Sequence, residues 1–217
     1  GMGPAPFWGR AAPKPPMFPG IFHVLTGRGF GGGTPPTARP QEDLEGAVMV
    51  GGMLRDALNC SVICYEYTGY GSEEVRAGYS PSQQALYADA ARVAKYALYA
   101  KKEGDLRVYS LGRSLGGAMA IRVAADLGEE CDGLILLSAF SSVLATRLRK
   151  PMVSMLSFLD MFDNCEEIKK VNEYTPLLVL HGTNDSLVPF EHSASIFNAS
   201  TCRQKLRERL VNATHNS

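Results

Sequence analysis

Three short segments, LRVYSL (106–111), GLILLSAF (133–140) and PLLVLHG (176–182), are apolar almost without a break, and stretches of helical character part them. Strands of this kind have no solvent face to mark with polar residues. The alternation therefore predicts a parallel sheet covered by helices on both sides. IFHVLT (21–26) and SVICYEY (61–67) read as further strands, and EDLEGAVMVGGMLRDAL (42–58) as a helix. SLGGAMAIRVAADLG (114–128) reads as another helix, closed by Gly128. Ser80-Pro81 supplies an N-cap and a first-turn proline for a helix in which Leu86, Ala90, Val93 and Ala97 share a face. Right-handed crossovers turn this order into an α/β fold, a three-layer α/β/α sandwich on a mainly parallel sheet. KLRERLVN (205–212) fits a helix or a strand through Leu206 and Leu210, and is assigned to an edge strand.

A chain of 217 residues holds one such domain and not two. The domain is placed at 21–217. Ahead of it, PAPFWGRAAPKPPMFPG carries six prolines, which excludes helix and strand and makes 1–20 an extended arm. The segment 141–173 is a candidate cap or lid; its apolar part, MVSMLSFLDMF, roofs an acyl pocket or packs as an ordinary amphipathic helix.

Lysine plus arginine and aspartate plus glutamate balance at 22 each, so no basic stripe points to nucleic acid. No signal peptide is recognised, and the run ending at Phe162 is too short to span a bilayer. A cytoplasmic protein is expected, with peripheral membrane contact and oligomeric state left open. Gly1 ahead of Met2 reads as a tag remnant. Cys60, Cys64, Cys131, Cys165 and Cys202 lack zinc spacing and are expected as reduced thiols. The sequons at Asn59, Asn198 and Asn212 carry little without a secretory signal.

The chemistry starts at YSLGRSLGGAMA, where Gly112-Arg113-Ser114-Leu115-Gly116 is G-x-S-x-G between a predicted strand and a predicted helix. In that context Ser114 occupies a turn tight enough to demand glycine on either side, at the carboxyl edge of the sheet where α/β proteins build sites. Leu115 N–H, at the helix start, is aimed at any oxyanion formed there. The competing reading is a small-residue helix start chosen for close packing. Asp185 follows the strand PLLVLHG and is placed to hold an imidazole; as a turn aspartate it would merely cap local N–H groups. His215 follows the last candidate strand. His23 lies inside a strand, His192 at a helix start, and His181 too near Asp185 in sequence, where it braces the loop. That leaves His215 as the base, and Ser114, Asp185, His215 stand in the Ser…Asp…His chain order.

TGRGFGGG (26–33) matches G-x-G-x-x-G through Gly27, Gly29 and Gly32. Pro35, Pro36 and Pro40 block the helix a dinucleotide site requires, so the loop is expected instead to offer a second oxyanion N–H, from Gly27 or Arg28. Arg113, Phe140, Met155 and Leu187 are the pocket candidates.

With LGRSLGG, YEYTGYG, LLVLHGTNDSLVPFEHS and NATHN on the page, residues 21–216 resemble intracellular serine hydrolases of the α/β-hydrolase superfamily, nearest the Bem46-like and depalmitoylating group. The resemblance implies hydrolysis of carboxylic esters or thioesters, of a small molecule, an acylated protein or a lipid. It implies Ser114 as nucleophile, His215 as base, Asp185 as acid, and neither metal nor organic cofactor. Against the family pattern, Thr26-Gly27-Arg28 replaces a His-Gly-Asn-like turn, and the proline-rich arm stands where an N-terminal strand pair is usual. The C-terminal helix is lacking, and no cysteine cluster precedes Cys60. The alternatives are a non-catalytic scaffold on the same fold, and a lipase or lysophospholipase.

Overall fold

A computed structural model describes residues 20–26, 40–69, 82–104, 106–142 and 162–215, with side chains described from residue 49 onward. Six strands form one sheet: β1 (Gly20–Thr26), β2 (Ser61–Ile63), β3 (Arg107–Arg113), β4 (Gly133–Leu137), β5 (Leu177–Gly182) and β6 (Lys205–Leu210). Their order is β2-β1-β3-β4-β5-β6, and every neighbouring pair is parallel. The helices are α1 (Pro40–Leu58), α2 (Gln83–Gly104), α3 (Leu115–Leu127), the single turn α4 (Asn164–Glu167) and α5 (Glu191–Ala199). The chain steps one way from β1 to β2, then back past β1 to β3 and onward. Right-handed crossovers consequently set α1 on one face of the sheet and the later helices on the other. The order reverses between β1 and β3, whose carboxyl ends stand side by side with Thr26 in register with Arg113, and such a switch point is where α/β sheets build their sites.

The core gathers around α3. Ten of its residues are buried, half of them glycine or alanine, so the helix lies very close to the sheet. A Cβ on Gly117 would stand 2.5 Å from that of Ala139, which shows how tight the fit is. Gly128 closes the helix at φ 57°. On α2 the buried residues are Leu86, Asp89, Ala90, Ala94 and Ala97, so Ala94 takes the place expected of Val93.

Several expected boundaries move. The helix α2 is capped by Ser82, whose Oγ accepts from Ala85 N–H at 3.1 Å; Ser80 and Pro81 lie outside the described residues. The strand expected over 61–67 ends at Ile63, because β1, its partner among the described residues, pairs with it through three residues. Beyond it, Thr68 is held to α2 by two bonds to the Asp89 carboxylate. Pro40 opens α1, where its fixed φ suits a first turn. The cap segment lies outside the described residues except at its ends. Phe162, its last apolar residue, is 1% exposed and packs edge-on against Tyr87, so this residue belongs to the core. All five cysteines are free thiols. Among the described residues no helix is long and apolar enough to cross a membrane.

Candidate active site

Between β3 and α3 the chain turns at Ser114, whose φ of 53° and ψ of −120° are strained for any residue with a side chain. Its backbone is fixed by a bond from its N–H to Leu137 O at 3.0 Å and one from Gly117 N–H to its own carbonyl, also 3.0 Å. Glycine at 112 is obligatory: a Cβ there would sit 2.1 Å from Gly116 O. The Ser114 hydroxyl makes no bond to its own helix terminus. Leu115 opens the helix, so its N–H is one of the donors an α-helix leaves without an internal acceptor. Among the described residues no backbone acceptor outside the helix takes it.

Asp185 sits past the end of β5 in a loop that its own carboxylate organises. Oδ1 accepts from Leu187 N–H at 3.0 Å and Val188 N–H at 2.8 Å, while Oδ2 lies 2.7 Å from His215 Nδ1. Burial alone would raise the carboxyl's pKa. The two imidazoles nearby, the Val188 N–H and the His215 charge outweigh it and hold the group well below the ordinary carboxylate range. The carboxylate fixes the histidine tautomer, since an acceptor at 2.7 Å requires the proton on Nδ1 and leaves the Nε2 lone pair free. His215 is 6% exposed, and its Nε2 has no hydrogen-bond partner among the described residues.

Backbone contacts over long sequence separations bring His215 there. Asn184 N–H donates to Ala213 O at 3.0 Å, and Thr183 N–H to Leu210 O at 3.0 Å. Asn212 N–H reaches Thr183 Oγ1 at 2.9 Å, with Asn212 at φ 60°. The loop packs so closely on the end of β5 that a Cβ on Gly182 would meet Ala213 O at 2.4 Å. Across the site, Arg113 donates through Nη2 to the carbonyl of His215.

The other expected residues divide. Arg113, expected at the pocket, is half-buried with this guanidinium nitrogen on the His215 backbone. Phe140 is in the core, its carbonyl accepting from Asn164 Nδ2 at 2.7 Å. Leu187 is partly buried against the core. Gly27, Arg28 and Met155 lie outside the described residues. His181, expected as a loop brace, has its Nε2 3.5 Å from Asp185 Oδ2. That same nitrogen is 2.8 Å from Val188 O, and a single proton follows the shorter bond, so Asp185 receives the weaker contact. His192 takes both the N–H of Ser141 and its hydroxyl at Nδ1, tying α5 to the loop after β4. Burial and the neighbouring His181 push its pKa down. A surface cleft bordered by Asp132, Asn172, Tyr174 and Pro176 opens at the amino ends of β4 and β5, the far edge of the sheet from Ser114.

Gly182 and the reach of Arg113 escaped the sequence reading. Arg113 was visible as the residue before the serine. Nothing local set Gly182 apart from an ordinary strand-ending glycine.

Solved structures share this fold. Monoglyceride lipase from Saccharomyces cerevisiae superposes with a TM-score of 0.63 over 93% of this chain and 80% of that one, at 14% identity. Est1E from Butyrivibrio proteoclasticus, with ferulic acid bound, gives 0.60 over 90% and 81%, at 17% identity. A family model described as serine aminopeptidase, S33, matches residues 55–162, a span that includes Ser114 and ends before Asp185. Alpha/beta hydrolase domain-containing protein 17B of Xenopus laevis is 32% identical over 146 residues, 66% of this chain and 46% of that protein. The 17C protein of Mus musculus is 33% identical over the same share of this chain and 42% of its own length. The chain is an α/β-hydrolase. This α/β-hydrolase spans about half the length of the curated relatives it matches.

Proposed function

We propose that the hydrolase cleaves carboxylic esters or thioesters through an acyl-enzyme, with Ser114 as nucleophile, His215 as general base and Asp185 as the carboxylate that orients it. The observation that carries this is the buried imidazole of His215, bound at Nδ1 by Asp185 and unpartnered at Nε2. A base needs one nitrogen fixed and the other open, and Ser114 stands at a strained strand-to-helix elbow on the sheet edge that holds both partners.

In the acylation step Nε2 takes the hydroxyl proton as Ser114 Oγ attacks the acyl carbonyl. The charge that collects on the carbonyl oxygen is met by Leu115 N–H and the positive end of α3. The protonated imidazole, stabilised by Asp185, then gives its proton to the departing alkoxide or thiolate. A water repeats the sequence and releases the acid. Gly27 or Arg28 N–H is the proposed second oxyanion donor. An acylated protein or a lipid ester is the proposed substrate class; the names of the relatives support hydrolysis and specify no substrate.

A fluorophosphonate probe tests the assignment without a known substrate. Labelling is expected in the wild type and absent in Ser114→Ala, and His215→Ala should lower p-nitrophenyl ester turnover by about three orders of magnitude while the protein stays folded. Labelling that survives in Ser114→Ala, or near-normal turnover in His215→Ala, rejects the triad.

A further inference from the structure

We propose that Arg113 is a positioning residue for the hydrolysis, a clamp that ties the His215 loop to the strand carrying Ser114. The proposal rests on the triad reading and goes beyond it, because it assigns the geometry between nucleophile and base to a side chain that binds the backbone of the base.

Ser114 and His215 are held by different parts of the molecule. Ser114 is fixed by the β3–α3 turn, whereas His215 belongs to the segment after β6, an edge strand paired on one side only. The bonds that fix this segment run to the end of β5, through Thr183 and Asn184. They set His215 relative to Asp185, and reach β3 indirectly, through the pairing of β5 with β4 and of β4 with β3. Arg113 makes the tie directly. It is the last residue of β3, adjacent to Ser114, and its Nη2 donates to the carbonyl of His215 itself. A carbonyl oxygen accepting from a guanidinium makes a charge-assisted bond, about twice as strong as a neutral one, and half-burial shields it from water. The Asp185 carboxylate acts on the same guanidinium, favouring its charged form against the burial that disfavours it. One cation thus engages the backbone of the base and the field of its carboxylate from the residue next to the nucleophile.

Angular and distance errors between nucleophile and base are costly: about 1 Å of misplacement lowers rates on the order of a hundredfold. Removing the clamp should therefore act on the chemical step and leave ground-state binding alone. In Arg113→Met, kcat is expected to fall about 10- to 100-fold with KM within about threefold of wild type. Arg113→Lys keeps a cationic donor within reach of the carbonyl and is expected to recover at least a third of the wild-type kcat. Hydrogen exchange supplies a readout independent of activity: backbone amides of residues 211–215 should exchange at least several-fold faster in Arg113→Met than in wild type, with α3 unchanged.

The experiment measures fluorophosphonate labelling rate, p-nitrophenyl ester kinetics and amide exchange on wild type and both variants, with melting temperatures recorded. Wild-type kcat and unchanged exchange in Arg113→Met would overturn the clamp while leaving the triad intact. So would a lysine variant as slow as the methionine one, or an activity loss that only follows the folded fraction. If the wild type itself is not labelled, the triad reading fails, and exchange alone then decides whether Arg113 holds the loop.

Discussion

Adding one methyl group at Gly182 tests how finely the base is placed. The Cβ of an alanine there would lie 2.4 Å from Ala213 O, 2.9 Å from the carbonyl carbon of the same residue and 3.1 Å from Thr214 O. All three are backbone atoms, so no side chain can rotate away. Restoring an ordinary contact of 3.4 Å requires about 1 Å of movement in the peptide two residues before His215. Because Asn184 N–H is bonded to that same oxygen, the shift strains the Asp185 loop as well. Overpacking of this kind costs about 1–3 kcal/mol, partly offset by the lower unfolded-state entropy of alanine, which contributes about 0.4–1 kcal/mol. The net, about 0–2.6 kcal/mol, is for a chain of this size a fall in melting temperature of at most about 10 °C. The functional loss should be larger, about a hundredfold in kcat with little change in KM, because displacement of the base is felt fully in proton transfer. The assay is p-nitrophenyl ester turnover beside the fluorophosphonate labelling rate. Gly52→Ala serves as the control: the same methyl group meets nothing within 4 Å, and helix α1 should gain about 0.8–1 kcal/mol from it. Turnover of Gly182→Ala within about threefold of wild type, in a folded protein, would refute the argument that this glycine sets the position of His215.

Asp185→Asn should remove the acid sensitivity of stability that the carboxylate confers. Its pKa is held below the unfolded value of about 3.9, so the stabilisation is complete above that pH and drains as the pH falls below it. Thermal melts of wild type and variant should differ most near neutral pH and converge as the pH drops below about 4; a constant gap down to pH 3 would contradict the assignment. Phe162→Ala should cost about 3–5 kcal/mol, because the ring is 1% exposed and packed on Tyr87. Urea titration measures it, and a loss under about 1 kcal/mol would return the residue to the cap.

What the sequence disclosed and what it withheld follow one physical divide. The buried strands β3, β4 and β5 were legible, since burial on both faces is written into each segment's own composition. The Ser114 turn was legible for the same reason: Gly112, Ser114 and Gly116 interact over four residues. At β2 the apolar alternation of SVICYEY suggested a longer strand than three paired residues. Its length depends on how far β1 runs beside it and on a carboxylate 21 positions away that captures Thr68, neither of which is local. Ser80-Pro81 had the stronger cap signature. Ser82 is nonetheless the residue whose hydroxyl caps α2, since a cap is decided by which oxygen reaches the helix's N3 amide, here Ala85.

The two halves of the candidate site therefore differ in kind. Ser114 is positioned by the tight Gly112–Gly116 turn and by its N–H bond to Leu137 O, both inside the core around α3, so damage there should appear first as a folding defect in α3 and the core it anchors. His215 is positioned by Gly182, Thr183, Asn184 and Arg113, contacts that span from about thirty to 102 residues of chain. None of them is buried in the α3 core cluster, so weakening one should leave the rest of the sheet standing. Substitutions at these four positions are thus expected to slow the chemistry more than they lower stability, whereas the ratio should invert at Gly112 and Gly117. A site built half from local turn geometry and half from long-range ties fails in two separable ways, and the slower, folded variants will come from the histidine side.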